Sequence, residues 1–184
     1  GFDQRPVRLA FSALPSGWRV ATQLKRTADP AGFTAPGFQY FMDSPIEVGP
    51  IDIRSWLVAN GSRTDTIRLA IHHLGTAEEV TRFVEMIKRI VPEQAGVFGE
   101  LAPFEFGTYT FLSDYLPWAS GDGMEHRNST ILSGTRPLST GMAGNFSTVG
   151  TWAEQSNFCA NKSVRMNTPP TPSIPKRESP KVRP

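Results

Sequence analysis

The sequence predicts an α+β fold, and three observations carry that expectation. Short alternating runs fill the first seventy residues, a capped amphipathic helix begins at Thr76, and strand-like runs return after residue 108. Val7, Leu9 and Phe11 flank polar Arg8 in the first run, which Pro15-Ser16-Gly17 ends with turn chemistry. Trp18 to Thr22 reads as a second short strand. Pro30, Gly32, Pro36 and Gly37 then predict a loop leading into Phe38 to Pro45. Ile51-Asp52-Ile53 and Trp56-Leu57-Val58 predict two further strands, and Thr66 to Ile71 alternates cleanly.

Thr76 with Glu79 three residues on fits a capping box, in which each side chain satisfies an orphan backbone N–H of the first turn. Val80, Phe83, Val84, Ile87 and Val91 recur at helical spacing as one apolar face, a stripe read as core packing. Pro92 predicts a kink or a new helix start, with residues 93–99 as a second short piece ending near Gly99. Tyr109 to Leu112 predicts a buried strand. Met124 to Leu132 predicts another, after the flexible Ser120-Gly121-Asp122-Gly123. From about Gly150 apolar periodicity stops, and Pro169, Pro170, Pro172, Pro175, Pro180 and Pro184 stand among basic residues. That composition cannot bury enough apolar surface to offset its ordering entropy, so a disordered tail is expected.

The 184 residues suffice for one ordinary domain, or for parts of two. No run approaches the roughly 18 apolar residues of a membrane helix, so no membrane partner is expected. Gly1 to Arg5 has neither an initiating Met nor an apolar h-region and reads as a cut inside a longer protein. The single cysteine, Cys159, excludes an internal disulfide and any multi-cysteine metal site, and no base stands near it to make it a nucleophile. Beyond residue 150, six basic residues face two acidic ones; with +2 for the whole chain, residues 1–150 carry −2. A clustered basic stripe is missing there, and no nucleic-acid partner is expected.

Several separated stretches carry a resemblance. They are Pro15-Ser16-Gly17-Trp18 with Ala21-Thr22; Asp43-Ser44-Pro45-Ile46-Glu47-Val48-Gly49; Phe98-Gly99 with the aromatic run through Phe111; and Gly123-Met124-Glu125-His126-Arg127-Asn128-Ser129-Thr130. In this order they resemble the glycyl aminopeptidase family of zinc metallopeptidases, thermolysin-like gluzincins, over roughly residues 7–132. The resemblance implies an α+β architecture. The end of an N-terminal β-sandwich-like domain (residues 1–57) is followed by the first part of a thermolysin-like catalytic domain (58–145), then by an irregular, Pro-rich basic tail (146–184).

The last motif resembles the family's Gly-x-Glu-His block and supplies the candidate substrate-binding residues Gly123, Met124, Glu125 and His126. Gly123 permits close backbone approach or an unusual φ. An exposed strand edge pairs with an extended peptide by β-augmentation. A carboxylate at Glu125 suits a charge-assisted hydrogen bond to a free α-ammonium, and the resemblance implies that role, the anchoring of a peptide N-terminus. No role for His126 follows from the residues themselves.

Family catalysis uses zinc held by H-E-x-x-H, and this chain has only His72, His73 and His126, none in such a motif. No catalytic residue and no metal ligand is therefore assigned, and the chain alone is expected to be inactive and to hold no zinc. His72-His73 is not read as a chelating pair, because strand neighbours point to opposite faces. Pro169-x-x-Pro172 and Pro172-x-x-Pro175 are read as by-products of a proline-rich end. The expected function is thus a fragment of a metallo-aminopeptidase acting on peptide N-termini. The alternative is a non-catalytic peptide-binding or scaffold module. Because the match fades where the zinc helix should begin, residues from about 145 onward are expected not to be a native catalytic segment.

Overall fold

The computed structural model describes residues 2–99 and 101–138. The predicted Pro-rich tail, Cys159 and the segment from about 145 expected not to be catalytic lie outside the described residues.

The first fifty residues form two small antiparallel sheets. β1 (Val7–Ala10), β2 (Arg19–Thr22), β3 (Lys25–Arg26) and β4 (Gly32–Ala35) are followed by the short helix α1 (Phe38–Met42) and β5 (Ile46–Gly49). One sheet has the order β1-β4-β3, and β2 pairs with β5 separately. Their core is Val20, Leu24, Phe33, Ala35 and Tyr40, with Phe11 meeting Phe33 edge to face.

The predicted loop through Pro30 to Gly37 therefore contains a strand, and the stretch it leads into begins with a helix. Both are hidden in the sequence for local reasons. β4 is only four residues long and is bounded by Pro30 and Pro36. α1 has only Gly37 at its N-cap, with no side-chain cap, and is fixed instead by burial of Tyr40. Gly37 is required by packing: a Cβ there would sit 2.7 Å from the Asp3 carbonyl oxygen.

A five-stranded mixed sheet follows, in the order β6-β7-β8-β10-β9. Its strands are β6 (Asp52–Asn60), β7 (Arg63–His73), β8 (Thr108–Tyr115), β9 (Asp122–Glu125) and β10 (Ser129–Gly134). β6 joins the two short predicted strands into one, so the predicted boundary between residues 57 and 58 falls inside it. β7, β8 and β10 run parallel, with β6 and β9 antiparallel at the two edges. The predicted strand from Met124 to Leu132 is instead a hairpin, because Arg127-Asn128 turns the chain back and His126 N–H donates to the Ser129 carbonyl.

Helix α2 (Ala77–Phe98) crosses from β7 to β8 with the capping box of Thr76 and Glu79 formed on both sides. Val80, Phe83, Val84, Ile87 and Val91 are all buried against Ile67, Leu69, Ile71, Phe111, Tyr115 and Leu132 of the sheet. Each such side chain contributes about 1.5–3 kcal/mol. Gly99 ends the helix in the left-handed region at φ 86°. Pro92 does not start a new helix; α2 runs through it. It stands on the exposed side of the helix, where its ring displaces no core side chain. The opposite face of the sheet packs on the β2–β5 pair through Ala21, Ile51, Ala70 and Leu112. No helix among the described residues is long and apolar enough to cross a membrane.

Candidate functional site at the sheet edge

β9 is an edge strand, and Gly123, Met124 and Glu125 lie on it. Its pairing with β10 starts from the His126–Ser129 backbone bond and alternates, so Met124 and Asp122 are the residues bonded to β10. The backbone N–H and C=O of Gly123 and Glu125 consequently point away from β10. The Asp122 carboxylate accepts from Gly123 N–H at 2.8 Å and caps that donor. Gly123 sits in regular strand geometry and not at positive φ, so of its two expected uses the close approach of another backbone is the one this geometry allows.

Side chains alternate along β9. Glu125 lies opposite Thr130, next to which come Phe111 and Leu69, on the face that α2 covers farther along. Met124 lies opposite Ile131 and beside Leu112 on the other face, and is half exposed. That second face holds an open cleft of about 330 Å³ lined by Asp114, Ala119, Ser120, Asp122, Met124, Ile131 and Ser133.

The hairpin turn after Glu125 is held by residues far away in sequence. Gln23, buried at the end of β2, is the hub. Its carbonyl oxygen accepts from Asn128 N–H at 2.8 Å and from the Ser129 hydroxyl at 2.9 Å. Its amide nitrogen donates to the Asp43 carbonyl at 2.7 Å and to Ser44 Oγ at 2.9 Å. Asp43 reaches the same turn with its carboxylate, 3.1 Å from His126 Nδ1 and 3.2 Å from the Arg127 N–H. The Asn128 side chain accepts from Glu105 N–H at 3.0 Å, and the Arg127 guanidinium stacks over Tyr40. Burial pushes the Tyr40 hydroxyl up to about 12, so it stays protonated here. His126, grouped with the binding residues on the resemblance, thus has its ring turned inward to Asp43, with Nε2 buried and without a hydrogen-bond partner among the described residues. Its contact holds the turn rather than the edge. Nothing in the sequence marks Gln23 for this role, whereas Asp43 and Ser44 belong to a stretch that the resemblance singles out.

The two adjacent histidines part as strand geometry requires. His73 pairs with Asp52 at 3.3 Å. His72, on the other face, meets Glu47 of β5 at 3.8 Å and Asp114 of β8 at 3.5 Å. Burial, then the Asp114 charge, raises the Glu47 carboxyl to about 7; burial also raises Asp114, against the opposing effect of His72. The H-E-x-x-H that the resemblance implies for the catalytic zinc does not occur in this sequence. The chain's three histidines stand on β7 and just after β9, and no two are one helical turn apart on a helix.

Residues 1–50 match the family model described as the Peptidase M61 N-terminal domain. No curated protein matches the chain in sequence. Eighteen chains of solved structures match it. Among them is the crystal structure of an aminopeptidase N family protein from Idiomarina loihiensis, with a TM-score of 0.63 and 23% identity. The similarity covers 85% of this chain and 28% of that one, so this chain spans under a third of that protein's length. The family model supports a relation to peptidases, and the structural likeness shows a shared mixed α+β fold.

Proposed function

We propose that this chain is part of a zinc-dependent aminopeptidase and that β9 is its docking edge for the N-terminal end of an extended peptide substrate. The observation that carries the reading is the position of β9. Among the described residues it is the last strand of the sheet, and its register with β10 directs the Gly123 and Glu125 backbone groups away from that neighbour, with the Glu125 carboxylate on the same strand. A peptide strand added there exchanges main-chain hydrogen bonds with Gly123 and Glu125. The Asp122 carboxylate gives up the Gly123 N–H to the incoming carbonyl. Glu125 then receives the α-ammonium, which limits cleavage to the first residue. The Gln23 and Asp43 contacts fix the turn behind Glu125, so the carboxylate is positioned before substrate arrives. Family match and fold likeness support the peptidase class. Hydrolysis itself requires zinc ligands beyond those in this sequence.

One observation favours a second reading, a non-catalytic peptide-binding module: the chain has three histidines and no H-E-x-x-H. Both readings use the same edge, and activity of a longer protein containing this chain separates them. The edge itself is tested by Gly123→Pro, which removes an outward N–H without touching the β9–β10 ladder. Peptide binding should fall at least about tenfold at unchanged melting temperature, the scale of one lost backbone hydrogen bond in a desolvated site. Binding that is insensitive to Gly123→Pro would count against the edge.

A further inference from the structure

We propose that Glu47, His72 and Asp114 form a binding site for one divalent transition-metal ion of the zinc type, placed where β5 meets the large sheet. The three residues come from three strands, β5, β7 and β8, and converge although they are distant in sequence. One ligand atom from each lies within 4.8 Å of the others. His72 Nδ1 stands 3.5 Å from Asp114 Oδ1 and 3.8 Å from Glu47 Oε1, too far for good hydrogen bonds. Two ligands each about 2.1 Å from a tetrahedral ion lie about 3.4 Å apart, so the observed spacings need only small side-chain rotations to close on one.

Two independent features point to a cation. Asp114 Oδ1 is shut off from solvent and has no hydrogen-bond partner among the described residues, an expensive state for a carboxylate oxygen. Among the described residues, both carboxylates have His72 as their ion-pair partner and neither pairs with a lysine or arginine. Two half-buried carboxylates facing one imidazole ring lack a full positive charge, and a divalent ion supplies it. The donor set of one nitrogen and two carboxylates suits zinc better than the all-oxygen shells of calcium or magnesium. Asp114 also lines the open cleft on this face of the sheet. Strand alternation rightly separates His72 from His73, but it is blind to ligands that neighbouring strands bring to His72. Bound there, the ion would clasp β5 to β7 and β8.

The test uses the 184-residue chain and Co²⁺, whose visible absorption reports coordination, with Zn²⁺ as competitor. The expected result is one Co²⁺ per chain, displaced by Zn²⁺, with a higher melting temperature when metal is present. His72→Gln, Glu47→Gln and Asp114→Asn should each weaken binding at least tenfold. His73→Gln and Cys159→Ser should bind as the wild type does. Far-UV circular dichroism identifies any variant that fails to fold, and Glu47→Gln, which removes a half-buried charge at constant shape, is the variant least prone to that. No Co²⁺ binding by the wild type, or binding that survives Glu47→Gln and His72→Gln, overturns the site. So does binding that is lost in Cys159→Ser.

Discussion

Replacing Gln23 by methionine, close in shape but without the amide, removes all four hydrogen bonds that this side chain makes to Asp43, Ser44, Asn128 and Ser129. The two hydroxyls can adapt, since Ser44 Oγ already donates to the Tyr40 carbonyl. The Asn128 N–H cannot: it is buried, and it loses its acceptor. The Asp43 carbonyl is only partly buried and recovers some hydration. A buried group left unpaired costs about 1–3 kcal/mol, so the sum for one full and one partial loss is about 2–4 kcal/mol. Against a total stability of about 5–15 kcal/mol that is a large fraction. Equilibrium urea unfolding of wild type and Gln23→Met measures it, with an unchanged slope expected because the surface exposed on unfolding is the same. Hydrogen exchange adds a local readout. The His126 amide, bonded to Ser129 in the turn, should exchange faster in the variant, while amides of α2 such as Ile87 should change only by the loss in global stability. A cost below about 1 kcal/mol, with the His126 amide unaffected, would show that Gln23 does not hold the turn.

Further perturbations follow from single positions. Pro92→Ala should stabilise the chain by about 1–3 kcal/mol in urea unfolding, because it restores a donor within a continuous helix. Glu47→Gln in chelator-containing buffer should stabilise by about 1–2 kcal/mol at pH 8 and by nothing at pH 4, the full linkage value being reduced for partial solvation. The sign follows from a folded-state value of about 7 against an ordinary 4.5: ionising Glu47 costs the folded state more, so stability falls as pH rises between those values. Melting curves at the two pH values check it.

Much of the fold can be read in the sequence where one local signal suffices. The Thr76–Glu79 box, the apolar stripe from Val80 to Val91 and the Gly99 stop are each set by neighbours within a few residues, and each forms as expected. Elements that depend on distant contacts are not legible. α1 has no cap and no periodic face and exists because Tyr40 is buried against residues of other segments. The β9–β10 hairpin lacks Gly or Asn-Gly at its turn; Gln23 and Asp43, more than eighty residues away, pin Arg127 and Asn128 instead. The same holds for the site. Gly123 to His126 are found through a motif, but which of them face the edge follows only from strand order and register. The meeting of Glu47, His72 and Asp114 depends on a parallel pairing of β7 with β8 that no local pattern announces.

The central claim, that the β9 edge takes a peptide N-terminus through Glu125, is tested most directly by comparing one extended peptide with a free α-amine and the same peptide acetylated. Fluorescence anisotropy measures both affinities on the wild-type chain and on Glu125→Gln. A charged hydrogen bond of about 1–3 kcal/mol predicts a preference for the free amine of about five- to hundred-fold in the wild type, and none in the variant. Equal affinity for both peptides in the wild type, or a preference that survives Glu125→Gln, would contradict the account.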